Sequence, residues 1–382
     1  MRKMRIVLRG GCFIASVFLL FVILFSVKDV FSTDYTTANT GSAPAADHAM
    51  YYTGAKTYST GDTITGNFCC PAGVTFSGVL TLSMNGMIGT EFYFSNESVA
   101  SNLTLGNNLV FGPCNSDPYF SVLSALSTDT YSISIDGAGY TIFLDSDLTF
   151  NDNNSKQIFS IVGNLTIDGR GHAITFDTRT SFSIVDAKTL TFKNAVIRGL
   201  TRKATQNFWA LGSSSKVVFQ NVIIDLTGDW TFSDWHETNG CKLDILDTVI
   251  VKGGCAFGYE SKGALTIGAD NHYGTLMFDH DMTFTWNPPA ASNTFTMSNR
   301  NSWLYLDGCT LNVPKNRCLN LTKGTLLFDN KVVVNNNNNS TDDDTHGIKL
   351  GSGASGYDVE VKVLSGARVE VSGLIRHYPS TD

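Results

Sequence analysis

The chain has 382 residues, among them 35 glycines and 25 phenylalanines, and only 16% are charged. That length suits two ordinary domains or one large all-β domain, and the recurring Asn, Ser and Thr, with few runs of Ala, Glu and Lys, argue against helices and for the second. With residues 1–32 set aside, 22 basic residues face 33 acidic ones, a net charge near −11 that excludes nucleic acid as an expected partner.

The first predicted element is the leader MRKMRIVLRGGCFIASVFLLFVILFSVKD. Arg2, Lys3, Arg5 and Arg9 precede an uncharged run from Gly10 to Val27, the pattern of an export signal. The run is also about long enough to cross a bilayer, so residues 1–32 read as a signal peptide ending near the small Ser32 or as a retained anchor. Either way the expected location is exported: secreted, periplasmic or at the cell surface. Any membrane contact is expected through this segment alone. Residues 33–66, rich in Thr, Ala, Gly and Ser, read as a linker or N-terminal cap. Residues 67–382 form the folded domain.

Within that domain one template recurs. An aliphatic residue stands four before a turn former and an apolar residue two before it. The turn formers are Asn107, Gly137, Gly169, Asn194, Asn221, Asp247, His280, Gly308 and Asn330. Leu103, Ile133, Leu165, Leu190, Val217, Leu243, Leu276, Leu304 and Leu326 hold the first apolar position. Leu105, Ile135, Ile167, Phe192, Phe219, Ile245, Phe278, Leu306 and Phe328 hold the second. Alternation of this kind puts both columns on one strand face, and Gly, Asn, Asp and His are the residues expected to accept positive φ at a sharp bend. Intervals of 22 to 33 residues suit solenoid coils, with further short strands such as AVI (195–197) after the bends.

With its Leu, Ile and Phe columns, its Asn bends and the phrase IDGRGHAI (Ile167–Ile174), the chain resembles the pectin-lyase-like superfamily over residues 75–372. The resemblance implies an all-β fold, a right-handed parallel β-helix (solenoid) of about ten coils, in an exported bacterial surface protein. Stacked at the strand spacing, those coils make a rod on the order of 50 Å long. Like side chains would then form ladders in a narrow core, and the Asn column could hydrogen-bond along the stack.

Several residue groups invite a chemical reading. Asp168, Arg170 and His172 fall within five residues, but the preceding copy, SISIDGAGYTI, keeps Asp136, Gly137 and Gly139 and replaces Arg170 and His172 by Ala138 and Tyr140. What the copies share is the turn, with Asp accepting backbone N–H bonds and glycines taking positive φ. Thr345–Gly353, THGIKLGSG after Asp342, Asp343 and Asp344, resembles the GHG-I-x-x-G-S phrase of polygalacturonases, glycoside hydrolases on this fold. That resemblance implies Asp342 and Asp343 as acid and base with His346, and Arg368 as a clamp on the substrate carboxylate. Here the aspartates abut the histidine, Thr345 stands where the family has Gly, and no R-I-K follows, so the stretch reads as a solvated polar loop. Lyases of this fold use calcium, for which Asp145 with Asp147, or the Asp342–Asp344 run, are the candidates.

In GDWTFSDWHE (Gly228–Glu237), Trp230 and Trp235 stand among acidic residues, as a loop packing its own tryptophans or as an exposed platform for sugars. Seven cysteines follow the leader (Cys69, Cys70, Cys114, Cys241, Cys255, Cys309 and Cys318), none in metal-ligand spacing, allowing one or two disulfides and at least one free thiol. No complete catalytic, cofactor or metal set emerges. The expected function is therefore a non-catalytic, adhesin-like binding protein of the envelope or surface, directed at glycans or proteins. A polysaccharide lyase or glycoside hydrolase acting on acidic polysaccharide is the alternative, with calcium expected only there.

Overall fold

A computed structural model describes residues 134–378 in full except 146, 151–157, 177–179, 201–213, 233–239, 270, 291–293, 338–346 and 353–357. Elsewhere it describes little beyond strand backbone. The leader (1–32), nearly all of the segment 33–66, and the residues Asp342, Asp343, Asp344, His346 and Trp235 lie outside the described residues. Among the described residues no helix is long and apolar enough to cross a membrane.

The described chain is a parallel β-solenoid with three walls. The first wall is built from Thr141–Leu144, Leu165–Asp168, 189–193, 216–220, 242–246, Leu265–Ile267 and Phe295–Met297, and then from a separate three-stranded sheet of Cys318–Leu321, Gly347–Leu350 and Ile375–His377. The second wall follows it in each coil, through Ala173–Phe176, 195–198, 222–225, 247–251, Gly274–Phe278, Trp303–Asp307, Gly324–Asp329 and Val359–Val363. The third wall is one sheet up to Phe208–Ala210 and a second from Trp230–Phe232 to Arg368–Ser372. Each strand pairs in parallel with its counterpart one coil away. Seven turns, from 165–184 to 347–372, have all three walls described side chain by side chain. The repeats predicted about ten over the longer span 75–372.

Alternation along each strand turns every second side chain inward, and the parallel register stacks like on like. Ile142, Ile167, Phe192, Phe219, Ile245, Ile267 and Met297 form one such ladder, all buried. Rings gather both across walls, as Phe150 with Phe159, and along one wall between successive coils, as Phe150 with Phe176 and Phe192 with Phe219. Phe150 lies 5.1 Å from Phe159 and 5.4 Å from Phe176, and Phe192 lies 5.8 Å from Phe219. Removing such a side chain from water stabilises the fold by about 1.5–3 kcal/mol each. Two large buried rings have their polar tips satisfied: Trp286 Nε1 donates to the Cys318 carbonyl at 2.7 Å, and Tyr259 Oη to that of Gly263 at 2.9 Å.

The recurring template is real, but its copies are not one column. The copies centred on Gly169, Asn194, Asn221 and Asp247 lie on the first wall, where Leu165, Leu190, Val217 and Leu243 are in register. Those centred on His280, Gly308 and Asn330 lie on the second, because Leu276 pairs with Val249, then Leu304 with Leu276 and Leu326 with Leu304. Ile133 and Ile135, like Leu103, belong to the third wall. Every corner asks for the same local pattern, an inward-alternating strand followed by a tight bend, so the pattern marks corners without telling them apart.

The bends also refine the expected conformations. Asn194, Asn221, Asp247, Gly308 and Asn330 do adopt positive φ, of 48°, 53°, 52°, 56° and 53°. At three further bends the left-handed residue comes one later, as Ala138, Arg170 and Asp281 rather than Gly137, Gly169 and His280, and Asn107 lies outside the described residues. Gly169 is needed for space. A Cβ there would lie 2.7 Å from the Cβ of Ala195 and 2.9 Å from the Asn194 carbonyl oxygen. Gly171 (φ 97°) and Gly139 (φ 86°) have open space around them and serve the backbone conformation instead.

Candidate functional site

The cluster of Asp168, Arg170 and His172 does not converge. Asp168 is buried in the bend, where Oδ1 accepts the Arg170 N–H at 3.0 Å and the Asn194 amide at 3.1 Å, and Asn221 in turn donates to Asn194 at 2.9 Å. Arg170 reaches back to the preceding coil, with Nη1 2.6 Å from Asp145 Oδ1 and the guanidinium 4.3 Å from the Phe143 ring centroid. His172 Nδ1 lies 3.5 Å from Asp147 Oδ1, which also accepts the Ala173 N–H at 2.8 Å. The two aspartates proposed for calcium are thus both engaged by the next coil. Their spacing is that of a strand edge gripping its neighbour.

Two further readings resolve. Trp230 is no sugar platform: it lies in the core, 1% exposed, with its ring 5.1 Å from that of Phe257. The physical reason is alternation, since Trp230–Phe232 is a third-wall strand whose ends both point inward. Arg368 is on the surface, with Nη2 2.9 Å from Glu370 Oε1 in its own strand. Cys241, Cys255, Cys309 and Cys318 are free thiols. Burial pushes the Cys309 thiol up to about 12.

The arrangement with chemical potential is the outer face of the second wall. Three outward columns run along it. The central one is apolar and then aromatic: Val196, Ile223, Ile250, Met277, Tyr305 and Leu327 stack in register. To one side stand Thr248, Thr275, Trp303 and Thr325. To the other run Arg198, Asp225 and Lys252 in register, followed by Asp279, and then Asp307 and Asp329 as a second registered pair. At the early coils this face forms a shallow groove of about 580 Å³, with Val196, Ile223 and Ile250 as floor and Arg170, Asn194 and Asn221 along its rim.

The charged column changes character partway. Arg198 Nε lies 3.5 Å and Lys252 Nζ 3.8 Å from Asp225 Oδ2, so opposite charges alternate over the first three coils. From Asp279 on, three carboxylates follow one another without a Lys or Arg between them. Other groups take that place. His280 Nδ1 lies 2.9 Å from Asp279 Oδ1, and His280 Nε2 lies 3.5 Å from Asp307 Oδ1. Asn330 Nδ2 donates to Asp307 Oδ1 at 2.6 Å, and Tyr305 Oη donates to Asp329 Oδ2 at 2.9 Å.

The electrostatics follow from this geometry. The hydrogen bond to His280 holds the Asp279 carboxyl below the usual carboxylate range. The same bond, with the Asp307 charge behind it, raises the His280 imidazole. Tyr305 is pushed up to about 12, first by burial and then by its bond to Asp329. Ligand atoms of Asp279, His280 and Asp307 all lie within 4.8 Å of one another, a donor set able to hold a divalent cation.

Sequence reasoning placed His280 and Gly308 only as bends and passed over Asp279, Asp307, Asp329, Trp303 and Tyr305. A signal was present: FDH (278–280), LDG (306–308) and FDN (328–330) set an Asp just before the bend in three successive coils. Their juxtaposition depends on parallel register between coils. No protein-family model, curated protein or solved structure matches this chain.

Proposed function

We propose that the chain is an exported, non-catalytic binding protein of the cell surface or envelope, and that the outer face of its second wall holds an extended glycan or protein segment. The observation that carries this reading is the unbroken apolar-to-aromatic column from Val196 to Tyr305, flanked in its later coils by Trp303 and threonines on one side and by the carboxylates of Asp279 and Asp307 on the other. Aromatic faces stack on sugar rings, and carboxylates, amides and hydroxyls take their hydroxyl groups. Its length, five strands at the strand spacing, is on the order of 20 Å and suits a chain ligand more than a small molecule. The acidic column favours neutral or basic glycans over polyuronates. In this proposal the solenoid is an exported bacterial β-helix of the pectin-lyase-like kind, as the Asn bends and inward ladders suggest.

The test is an array of neutral and acidic polysaccharides probed with the full chain, then with Trp303→Ala and Tyr305→Ala. Binding that falls at least ~10-fold in both variants, at unchanged melting temperature, supports the reading. Binding unaffected by either places the ligand elsewhere.

A second reading, hydrolysis or lyase chemistry on acidic polysaccharide, is favoured by one observation. Asp279 and Asp307 bring carboxylates from successive coils together around His280, and an acid and a base are what glycosidic cleavage requires. Unsaturated products or new reducing ends from polyuronides, lost in Asp307→Asn, would establish it. Silence with divalent cations supplied leaves binding alone.

A further inference from the structure

The charged column of the second wall ends in carboxylates that no basic side chain balances. Asp279, Asp307 and Asp329 follow one another on successive coils, and the Asp307 side chain is only 9% exposed, with no Lys or Arg pairing with it among the described residues. A carboxylate taken out of water needs a compensating charge. Around this one stand an imidazole and an amide, one from the coil before and one from the coil after. His280 Nε2 lies 3.5 Å and Asn330 Nδ2 2.6 Å from Asp307 Oδ1, and those two nitrogens are 3.2 Å apart.

His280 is oriented as a metal ligand would be. Its Nδ1 lies 2.9 Å from Asp279 Oδ1, and a carboxylate on one ring nitrogen fixes the tautomer and leaves the lone pair of the other for a cation. That other nitrogen, Nε2, faces Asp307 and Asn330. Two donors at zinc-ligand distance, about 2.0–2.1 Å from one tetrahedral ion, stand about 3.4 Å apart. The 3.5 Å between His280 Nε2 and Asp307 Oδ1 matches that spacing. Gly308, the bend residue between His280 and Asn330, keeps the way open: a Cβ there would lie 3.0 Å from His280 Cδ2 and 3.6 Å from Asn330 Cβ.

The amide supplies a third donor. At the early bends Asn194 is held on both sides, donating to Asp168 and accepting from Asn221. Asn330 Oδ1 accepts no hydrogen bond among the described residues. A half-turn of its amide therefore brings that oxygen toward Asp307 and His280, giving up only the two contacts that a cation would replace.

We propose that His280 Nε2, the Asp307 carboxylate and the Asn330 amide oxygen bind one divalent cation of the zinc class across three successive coils, with Asp279 positioning the imidazole. An imidazole donor selects zinc and its transition-metal neighbours over calcium and magnesium. Three protein donors leave a position open on the solvent side, where the His280 side chain is 58% exposed, for water or for a hydroxyl of a bound chain. The site goes beyond the reading of this wall as a ligand-binding face, and the metal alone tests it, so either can fail without the other.

The experiment is calorimetric titration of zinc chloride into the full chain, reduced, stripped of metal, free of any affinity tag and held in a non-ionic detergent suited to the apolar segment 10–27. Wild type is expected to bind one ion per chain at this site. Asp279→Asn is expected to weaken that binding at least ~10-fold, and His280→Ala and Asp307→Asn further. Asn330→Gly keeps the bend, whose φ is 53°, and is also expected to weaken it. His172→Ala removes the histidine beside Asp147 and is expected to bind as wild type does. Thiols also take zinc, so divalent cobalt gives a second readout: ligation by nitrogen and oxygen shows d–d absorption without thiolate charge-transfer bands. Zinc should raise the melting temperature of wild type and leave that of His280→Ala unmoved, and melting in EDTA checks that each variant folds. A wild type that binds no zinc overturns the proposal. So does zinc binding unchanged in His280→Ala, a cobalt spectrum dominated by thiolate bands, or calcium bound more tightly than zinc.

Discussion

Asn194 joins two effects that a pair of substitutions can separate. Its φ is 48°, a conformation that residues with a Cβ adopt at a strain of about 1–2 kcal/mol. Its amide links the coils on either side, donating to Asp168 Oδ1 at 3.1 Å and accepting from Asn221 Nδ2 at 2.9 Å. Asn194→Gly keeps the bend and removes both bonds, which at this part-exposed corner contribute about 1–2 kcal/mol together. Asn194→Ala removes the same bonds and adds the strain, offset by about 0.5–1 kcal/mol because glycine loses more backbone entropy on folding. The alanine variant should therefore be the less stable of the two by roughly 0.5–1 kcal/mol, with both below wild type. Urea unfolding followed by far-UV circular dichroism measures this, and tryptophan fluorescence checks that the coils unfold together. An alanine variant as stable as the glycine variant refutes the argument that positive φ selects Asn at these corners. A glycine variant as stable as wild type refutes the ladder.

The paired glycines of the bend after Asp168 give an ordered comparison. Gly169→Ala drives a Cβ into Ala195 and the Asn194 backbone and should lower the melting temperature further than Gly171→Ala, which meets open space and adds only backbone strain of about 1–2 kcal/mol. Equal losses would remove close coil approach as the reason for Gly169. Trp286→Phe withdraws the donor to the Cys318 carbonyl and shrinks a fully buried ring, so a loss of about 1–3 kcal/mol is expected in the same assay.

The Asp279–His280 pair predicts a pH window. The imidazole is raised from 6.5 in the folded chain, so its contribution is fully present below 6.5 and fades as pH rises through the raised value. The carboxyl is lowered from 3.8, so its contribution is present above 3.8 and fades as pH falls through the lowered value. The melting-temperature difference between wild type and Asp279→Asn should thus be greatest between 3.8 and 6.5. In the variant the His280 NMR titration midpoint should fall toward 6.5. An unmoved midpoint would show that Asp279 is not its partner.

Much of this architecture follows from the sequence alone. Strand faces alternate with period two and bends require Gly, Asn or Asp for backbone reasons, so Leu165, Ile167 and Phe192 as core and Asn194 and Asn221 as corners are legible within a few residues of chain. The turn role of Asp168 is legible too, because a second copy carries Asp136 at the same place and lacks the arginine and histidine. Tertiary structure decided which wall each copy lies on. A corner looks the same locally wherever it falls, and only parallel pairing shows that Leu276 stacks on Val249 rather than on Leu243. The candidate site has the same origin. Trp303, Tyr305, Asp279, Asp307 and Asp329 come from three coils, and what makes them neighbours is a register set by loops of unequal length, whose sum no local pattern encodes.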